Sequence, residues 1–421
     1  MKKYTILFLL LLSSFIYSQS WNFQTWIPNS GFNGSCAIST DVCWLCGPVS
    51  TVCKTTNGGT TWLNAKGNLP NQDVSSIYAI NALHAWIGTW NGSIYYTTDG
   101  GVSWTLSALT PPCLFIDVVH MFDANNGFAL GDPVSSQWRY YITTNGGVTY
   151  TLGSNVPSAG TSSEAGWANA YWAIDTGHIG WGTNNSRIYH GGWKGPITYT
   201  TIAASNQFGF AIENNFTGYA LCLSSTPSQL PLEKTTDCGL NWIISSYNPP
   251  SISYTIKNAP TIGTFEYWIG GNQGIYYSSN GGVNWSTQFT VTGIIYTISM
   301  VSVQCGWAGS STGDILKYTS PHPIGIINKQ NQKPESFSLS QNYPNPFNPT
   351  TNVKYQIAKS GNVKIIVYDF LGKEVTVLVN EYKPAGYYEV EFNASNLASG
   401  LYFYELKSGT FSETRKMILM K

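Results

Sequence analysis

A short polar turn that ends in an aromatic residue recurs along the chain, and its spacing restricts the fold more than any other feature. The stretch TTDGGVSW at Thr97–Trp104 has close relatives that begin at residues 55, 143, 235 and 278. Successive copies start 42, 46, 92 and 43 residues apart, so one copy near residues 189–192 has lost the pattern. A period near 43 residues, with several short β-rich runs in each unit, predicts propeller blades of four strands.

An apolar segment that combines an aromatic residue with glycine precedes each turn. After the last of these segments, the run DILKYTS ends at Ser320 without a further turn or fourth strand. The sequence WNFQTWIP from Trp21 has the pattern of that missing strand. We therefore predict an all-β, seven-bladed propeller over residues 21–320, in which Trp21–Pro28 completes the blade that begins near Ile294 and leaves no open sheet edge. The seven segments begin at Cys43, Ala85, Gly127, Gly180, Gly218, Tyr267 and Gly306.

Structural roles account for the residues of the repeated turn. Thr97 and Asp99 can accept hydrogen bonds from backbone N–H groups of their own turn. Gly101 permits a backbone angle that a side chain would penalise, and Trp104 can bury its ring between neighbouring sheets. We therefore predict that the turns are joints and not catalytic sites. The turn residues are Thr55, Asn57, Gly59, Trp62, Thr97, Asp99, Gly101, Trp104, Thr143, Asn145, Gly147, Tyr150, Thr235, Asp237, Gly239, Trp242, Ser278, Asn280, Gly282 and Trp285.

These turns resemble the Asp-box, or BNR, repeat of sialidases, sortilin-type receptors and the propeller factors of photosystem II assembly. The last family is the most similar, because its blades also pair a GWA-G segment with a T-x-D/N-G-G-x-x-W turn. The resemblance covers Trp21 to Ser320 and implies the fold rather than a function. A sialidase would need several arginines to hold its carboxylate substrate. The propeller has only Arg139 and Arg187, which argues against that activity.

Hydrolysis by two acidic residues is the leading enzymatic alternative, since Asp-box glycosidases of other families need only such a pair. No spacing selects a pair among the carboxylates of the middle blades, so we assign no catalytic residue and no cofactor. Those carboxylates are Asp117, Asp132, Glu164, Asp175 and Glu213.

No metal site is expected either. The run from Asp123 through Asn125 to Gly127 lacks the further ligands of a calcium loop and predicts an ordinary Asx-turn. His84 and His178 have no Cys or His partner at metal spacing, so we interpret them as turn residues as well.

Extra residues between strands predict a binding face opposite the turns. Blades three and five have longer stretches between strand two and the turn, and residues 153–166 form a further insertion after the third turn. Long loops on a rigid frame tend to carry recognition. The candidate contacts are Trp138, Trp167 and Thr226–Leu232, although neutral surface loops explain the insertions equally well.

Four of the eight cysteines lie close together: Cys36, Cys43, Cys46 and Cys53. If turns lie near residues 39–41 and 47–50, Cys36 faces Cys43 and Cys46 faces Cys53 across hairpins, at distances that a disulfide can span. A single zinc site would need a distorted strand, because Cys43 and Cys46 are three positions apart. We predict two disulfides, with free buried thiols and a metal site as the alternatives.

Residues 1–20 have the pattern of a secretory signal peptide, with two lysines, a short apolar run and small residues near Ser18 and Ser20. No other apolar run approaches the length of a membrane span, so no stable membrane insertion is expected. Charged residues make up 10% of the chain and balance to zero, which argues against nucleic acid as a partner.

The pattern changes after Ser320. Residues 321–335 predict a linker, and residues 336–421 contain clearly alternating strands that predict a small Ig-like β-sandwich. QNYPNPFNPTT from Gln341, VYDFLGKEV from Val367, LASGLYFYEL from Leu397 and the terminal KMILMK resemble the type A sorting domain of the type IX secretion system. The motif residues are Tyr343, Pro344, Asn345, Pro346, Phe347, Asn348, Pro349, Lys416 and Lys421.

This resemblance implies export through the periplasm and across the outer membrane, with the secretion machinery as a partner and a secreted or cell-surface destination. We predict a non-enzymatic propeller that binds or scaffolds an unknown protein or glycan. The alternatives are a glycoside hydrolase and a self-assembling adhesion component.

Overall fold

The computed structural model describes residues 20–28, 30–213, 217–223, 232–245, 249–260, 266–320, 337–342, 344–383 and 386–420. Contacts divide the chain into two units, Met1–His322 and Pro323–Lys421. The predicted signal peptide up to residue 19, the linker, Tyr343 and Lys421 lie outside the described residues.

Four sheets of the N-terminal unit are antiparallel, with four strands each in sequence order. The first contains β2 (Gly34–Ala37), β3 (Cys43–Gly47), β4 (Thr51–Thr55) and β5 (Leu63–Asn64). The second contains β6 (Val74–Ala79), β7 (Ala85–Thr89), β8 (Ile94–Thr97) and β9 (Thr105–Leu106). The third contains β15 (Gly166–Asp175), β16 (His178–Thr183), β17 (Arg187–Gly191) and β18 (Ile197–Thr201). The fourth contains β19 (Ser205–Ile212), β20 (Gly218–Leu223), β21 (Leu232–Thr235) and β22 (Ile243–Ile244).

A five-stranded sheet lies between the second and third of these along the chain. Its four antiparallel strands are β11 (Ile116–Met121), β12 (Gly127–Val134), β13 (Gln137–Thr143) and β14 (Thr149–Leu152). The short β10 (Ala108–Thr110) adds to its outer edge in parallel with β14.

The remaining strands of the unit form one six-stranded sheet in the order β1-β27-β26-β25-β24-β23. The long β25 pairs with β24 through its first half and with β26 through its second half. Two predicted blades therefore share one continuous sheet, and the count of seven blades stays a prediction. The strands are β1 (Ser20–Trp26), β23 (Ser253–Asn258), β24 (Tyr267–Ser278), β25 (Ser286–Ser302), β26 (Cys305–Ser310) and β27 (Asp314–Thr319).

The N-terminal strand closes this sheet. β1 pairs antiparallel with β27, from Trp21 opposite Tyr318 to Trp26 opposite Asp314. The Trp21 ring is buried and packs 5.4 Å from the ring of Tyr318. The predicted pairing of the leading segment with the last strand is thereby confirmed.

Strands from most of the sheets face a central channel. The cavity in this channel has a volume of 660 Å³ and is lined by residues of β2, β6, β15, β23 and β25, among others. Aromatic side chains from the second strands, such as Trp44, Trp181 and Trp268, are fully buried between sheets. The propeller is therefore held together by packing between adjacent sheets around the channel.

The predicted disulfides are wrong, because all eight cysteines have free thiols. Cys36 lies opposite Trp44, and Cys53 lies opposite Leu45. The predicted partners, Cys43 and Cys46, are each one residue away from the position opposite Cys36 or Cys53. A shift of one residue along a strand places the side chain on the other face of the sheet. Burial raises the pKa of Cys36 to about 11, which keeps it a neutral thiol.

The C-terminal unit is a β-sandwich of two antiparallel sheets. One sheet has the order β28-β29-β32 and the other β31-β30-β33-β34. Alternating side chains from both sheets, including Val353, Ile365, Tyr404 and Met417, form its core. The strands are β28 (Ser338–Leu339), β29 (Thr350–Ile357), β30 (Gly361–Asp369), β31 (Glu374–Lys383), β32 (Gly386–Asn393), β33 (Gly400–Ser408) and β34 (Phe411–Leu419).

Candidate binding site

In all five repeated turns, the first Thr or Ser hydroxyl is the centre of the same set of hydrogen bonds. It donates to Oδ1 of the Asn or Asp two residues later over 2.8–3.0 Å, and it accepts the N–H of the glycine four residues later over 2.8–3.0 Å. The same Oδ1 accepts a further backbone N–H over 2.9–3.1 Å. The polar groups of each turn therefore satisfy one another.

Glycine and the closing aromatic residue complete the turn. The glycine has a φ between 79° and 90° in every copy, a conformation that favours glycine. Trp104 and Tyr150 are buried, and Trp104 Nε1 donates to the carbonyl of Ala65 over 2.9 Å. Hydrogen bonds from Ser103, whose hydroxyl is the strongest influence, lower the pKa of Asp99 to about 2. This chemistry stabilises a joint and leaves no group directed at a ligand.

The position that lost the turn is occupied by a different joint. Residues 192–196 connect β17 to β18, and Trp193 is buried there. Its indole N–H donates to the carbonyl of Gly127, and its backbone N–H donates to that of Thr176, both over 2.8 Å. An aromatic ring thus links neighbouring sheets without the polar turn.

At the opposite end of the strands, loops between second and third strands meet the starts of first strands around the channel. They form a cleft of 750 Å³, which we call the mouth cleft. The mouth cleft is lined by Asn33, Pro48, Trp90, Phe115, Asp117, Asp132, Gly166, Trp167, Ala168, Phe208, Tyr254 and Tyr296.

Six aromatic side chains form two groups along the mouth cleft. In one group, the ring of Trp90 lies 5.8 Å from that of Phe115. In the other, the ring centroids are separated by 4.7 Å between Trp167 and Phe208, by 5.7 Å between Phe208 and Tyr254, and by 5.2 Å between Tyr254 and Tyr296. Trp90 is 52% exposed and Trp167 is 36% exposed, so both indoles are accessible to a ligand.

Two carboxylates lie among these rings. Asp117, on β11, is only 1% exposed, and its Oδ2 has no hydrogen-bond partner among the described residues. Asp132, on β12, accepts the N–H of Gly166 through Oδ1 over 2.8 Å. Burial is the main cause that raises the pKa of Asp117 well above its usual range, and the charge of Asp132 adds to it. Burial also raises the pKa of Asp132.

The mouth cleft continues into the channel, where the chemistry changes. The Asn169 amide donates to the carbonyls of Asn33 and Ser75 over 3.0 and 2.9 Å. Beyond it, burial lowers the pKa of Lys257 to about 8, and burial lowers that of His120 to about 3. Lys257 lines the channel cavity but not the mouth cleft.

The structure separates the predicted contact residues. Trp167 lies in the mouth cleft. Trp138, by contrast, is 3% exposed and packs 5.7 Å from Trp181, so its assignment to the binding face was wrong. The extra residues of blade three extend the β12–β13 hairpin, with Val134 opposite Gln137, instead of forming a free loop. Thr226–Leu232 lies outside the described residues except for Leu232, which is buried.

The insertion at residues 153–166 packs against this extended hairpin. Ala159 N donates to the carbonyl of Ser136 over 2.9 Å, and the Gln137 amide donates to the Ser158 hydroxyl over 2.8 Å. The insertion therefore leads the chain onto Gly166 and Trp167. Its role in recognition stays a prediction.

The other acidic and histidine candidates lie apart from the mouth cleft. Glu164 accepts the N–H of Gly160, and Glu213 accepts the hydroxyl of Tyr267 over 3.0 Å. Asp175 contacts His178 over 2.9 Å in an exposed turn. Of the five carboxylates, only Asp117 and Asp132 are brought together.

The predicted turn residues make ordinary turn contacts. Asp123 accepts the N–H groups of Asn125 and Asn126 in an Asx-turn, and His84 contacts Asn81 over 3.1 Å. No group of three or more His, Cys, Asp or Glu side chains in the described ranges is placed to hold a metal ion.

Sequence reasoning missed most of the mouth cleft, although a signal was present. Trp167, Phe208, Tyr254 and Tyr296 are separated by 41, 46 and 42 residues, which is close to the period of the repeated turn. An alignment of the first strands would have shown an aromatic residue recurring at the channel mouth. Trp90 and Phe115 lie outside this series and carry no such signal.

The motif at the start of the C-terminal unit is built into its fold. Phe347 is buried in the core, donates its N–H to the carbonyl of Ile418 and accepts the N–H of Met420, both over 3.0 Å. The Asn345 side chain accepts the N–H of Ile418 over 2.8 Å. Lys416, on the last strand, is exposed. The motif therefore ties the first segment of the unit to its last strand.

Residues 341–420 match the family described as the secretion system C-terminal sorting domain. The C-terminal unit is a type IX sorting domain. The sorting domain indicates export through the type IX secretion system to the cell surface or into the medium. No helix of the described ranges has the length and apolarity needed to cross a bilayer. No curated protein matches the sequence.

Solved structures that contain propellers resemble this chain. YCF48 bound to D1 peptide has a TM-score of 0.56 at 16% identity, covering 72% of this chain and 97% of that one. YCF48 from Cyanidioschyzon merolae has a TM-score of 0.55 at 17% identity, covering 71% and 99%. PorZ, a surface component of the type IX secretion system of Porphyromonas gingivalis, has a TM-score of 0.50 at 13% identity, covering 93% and 59%. These likenesses show the propeller fold.

Proposed function

We propose that the exported propeller is a binding module for a protein ligand, and that a segment of this ligand occupies the mouth cleft. The observation that carries the proposal is the pair of exposed indoles, Trp90 and Trp167, at the mouth of the central channel. Exposed aromatic residues in a concave site are typical anchors of recognition. YCF48, a propeller of similar fold, was solved with a bound peptide, which supports a peptide segment as the ligand.

Capture of ligands from the cell envelope tests this proposal. We expect the purified full chain to retain protein partners, and Trp167→Ala to lose them by about tenfold or more in affinity. Phe23→Ala is the matched control, because Phe23 is also an exposed ring but lies on the outer strand β1. Equal retention by all three proteins would remove the mouth cleft as the site. Binding to a glycan array without binding to any protein would contradict a protein ligand and indicate a glycan instead.

The placement of Asp117 and Asp132 in one cleft favours one further candidate, glycoside hydrolysis. Both carboxyl pKa values are raised, and a glycosidase requires at least one protonated carboxyl group to act as the general acid. A hydrolase would release sugars from a polysaccharide panel, and Asp117→Asn or Asp132→Asn would abolish the release. No turnover by the wild-type chain would leave binding as the function.

We also propose that the sorting domain depends on its last strand for delivery. Met417 and Leu419 of β34 are part of the sandwich core, so removal of residues 412–421 would open that core. We expect the truncated chain to accumulate in the periplasm while the full chain reaches the surface. Unchanged export of the truncated chain would contradict this role of the terminal strand.

A further inference from the structure

The mouth cleft has an unbalanced charge. Asp117 and Asp132 are the only charged side chains among the described residues that line it. Asp117 is almost completely buried, and its Oδ2 lacks a hydrogen-bond partner among the described residues. Asp132 uses Oδ1 to accept the Gly166 N–H, while no described residue donates to its Oδ2. The cleft therefore offers acceptor oxygens and no donor of opposite charge.

A buried carboxylate without a cation is costly to ionise. The raised pKa values of both groups show that cost, since burial is the leading cause in each case. A ligand that brings a positive charge would offset this cost, whereas an acidic ligand would raise it further. The electrostatics of the cleft therefore favour a cationic group.

The aromatic rings favour the same kind of group. Asp132 is bonded to Gly166, the neighbour of Trp167, and Asp117 is two residues from Phe115, which contacts Trp90. Asp117 also approaches Gly166, since a Cβ built on that glycine would lie 2.5 Å from Asp117 Oδ2, so both carboxylates lie beside the residue that precedes Trp167. Cations bind over the faces of aromatic rings, and a guanidinium group also stacks on them while it contacts a carboxylate.

Building on the proposed function, we propose that the mouth cleft recognises a basic side chain of a peptide ligand, arginine in preference to lysine. The guanidinium group contacts Asp132 Oδ2 and stacks in the aromatic group that begins at Trp167. Asp117 is buried beside Asp132, and a bound cation would favour release of its proton. The ligand segment is therefore basic and not acidic.

Binding of short, end-capped peptides to the full chain tests this assignment. The peptides are identical except for one central residue, which is arginine, lysine, citrulline or norleucine. Citrulline keeps the shape of arginine without its charge, so it isolates the charge contribution. We expect the arginine peptide to bind about tenfold more tightly than the citrulline peptide, with lysine between them. In Asp132→Asn, the ratio of arginine to citrulline affinity falls to about one.

Controls separate this inference from the proposed function. Asp99→Asn removes a negative charge from a turn at the other end of the blade and should preserve the arginine preference. Equal affinity for all four peptides, lost in Trp167→Ala, would overturn the basic-residue assignment and leave the binding site intact. Absence of binding at about 1 mM peptide would overturn the assignment outright. Stronger binding of a chitosan oligosaccharide than of the arginine peptide would also overturn it.

Discussion

The two ends of the propeller strands carry similar polar residues in opposite situations. At one end, the repeated turns place a hydroxyl, a carboxylate or amide and two N–H groups so that each satisfies the others. At the other end, Asp117 is buried with an oxygen that has no hydrogen-bond partner among the described residues, in a cleft lined by aromatic rings. The first arrangement is complete without a ligand, whereas the second gains free energy from one.

The comparison teaches that repetition and function are separate in this fold. The repeated turn is the most recognisable pattern in the sequence, with five copies. Its polar groups nevertheless form hydrogen bonds with one another and hold the strands together. The mouth cleft uses residues from many sheets, none of which is conspicuous alone. Stability should therefore depend on the turn end and binding on the cleft end.

The largest expected effect on stability and binding comes from replacing one tryptophan in a repeated turn and one in the mouth cleft by alanine. Trp104→Ala empties a buried site between two sheets and should destabilise the propeller by about 3–5 kcal/mol. Trp167→Ala removes a partly exposed ring and should cost less than about 1 kcal/mol of stability, while it weakens binding by about tenfold or more. Tryptophan fluorescence during urea unfolding reports the propeller alone, because all 16 tryptophans precede Ser320. Loss of binding in a folded Trp104→Ala protein would break the comparison.

A smaller effect is expected from the hydroxyl at the centre of the turn. Thr97→Val keeps the shape of the side chain but leaves the Gly101 N–H without its acceptor. We expect a loss of about 1–3 kcal/mol, the usual cost of an unsatisfied buried donor. Asp99→Asn should cost much less than Thr97→Val, since Asn already occupies this position in three other turns. Equal costs for the two variants would show that the turn depends on charge.

The buried carboxylate predicts a dependence of stability on pH. The folded-state pKa of Asp117 is raised, so the folded protein holds this proton while the unfolded chain releases it above about pH 4. Stability is therefore lost as the pH rises from there towards the raised pKa. Asp117→Asn removes this loss. The Tm of the variant minus that of the wild type should therefore increase by a few degrees between pH 4 and pH 7.

Neighbouring ionisable groups and a control variant define that test. Asp132 and the Cys113 thiol are the titratable groups whose charges interact with Asp117. Asp123→Asn serves as the control, because hydrogen bonds, led by that from the Asn126 side chain, lower the pKa of Asp123. That variant should lose stability towards neutral pH. The same sign in both variants would contradict the role assigned to burial.

The smallest effect is expected from a reducing agent, which would act on the cysteines of the first sheet. With all cysteines as free thiols, a reducing agent should leave the Tm within about 1 °C of its value without reductant. Alkylation of the unfolded, unreduced chain should modify all eight cysteines. If any two cysteines escaped alkylation, they would form a disulfide, and the account of the free thiols would be wrong.

Much of the fold was predictable because the repeat itself encodes it. The sequence pattern of the last repeat stops at Ser320 without a fourth strand, and together with the pattern from Trp21 it predicted the pairing of β1 with β27. The disulfides failed because a register offset of one residue at Cys36 and Cys53 is set by packing, which the sequence does not show.

The candidate site was less predictable, for a related reason. Asp117 and Asp132 meet only because the β11–β12 pair and the Gly166 backbone bring them together. The assignment of Trp138 failed since extra residues lengthened a hairpin and buried the ring against Trp181. Contacts made by residues from separate sheets leave little trace in the spacing of a single chain.

The most direct test of the account is photo-crosslinking on cells that export the full chain. One variant carries a photoreactive phenylalanine derivative in place of Trp167 in the mouth cleft, and another carries it in place of Val102, which is 74% exposed in a repeated turn. We predict a discrete protein adduct from position 167 and none from position 102. An adduct from position 102 alone, or equal adducts from both positions, would contradict the division of the propeller into a structural end and a binding end.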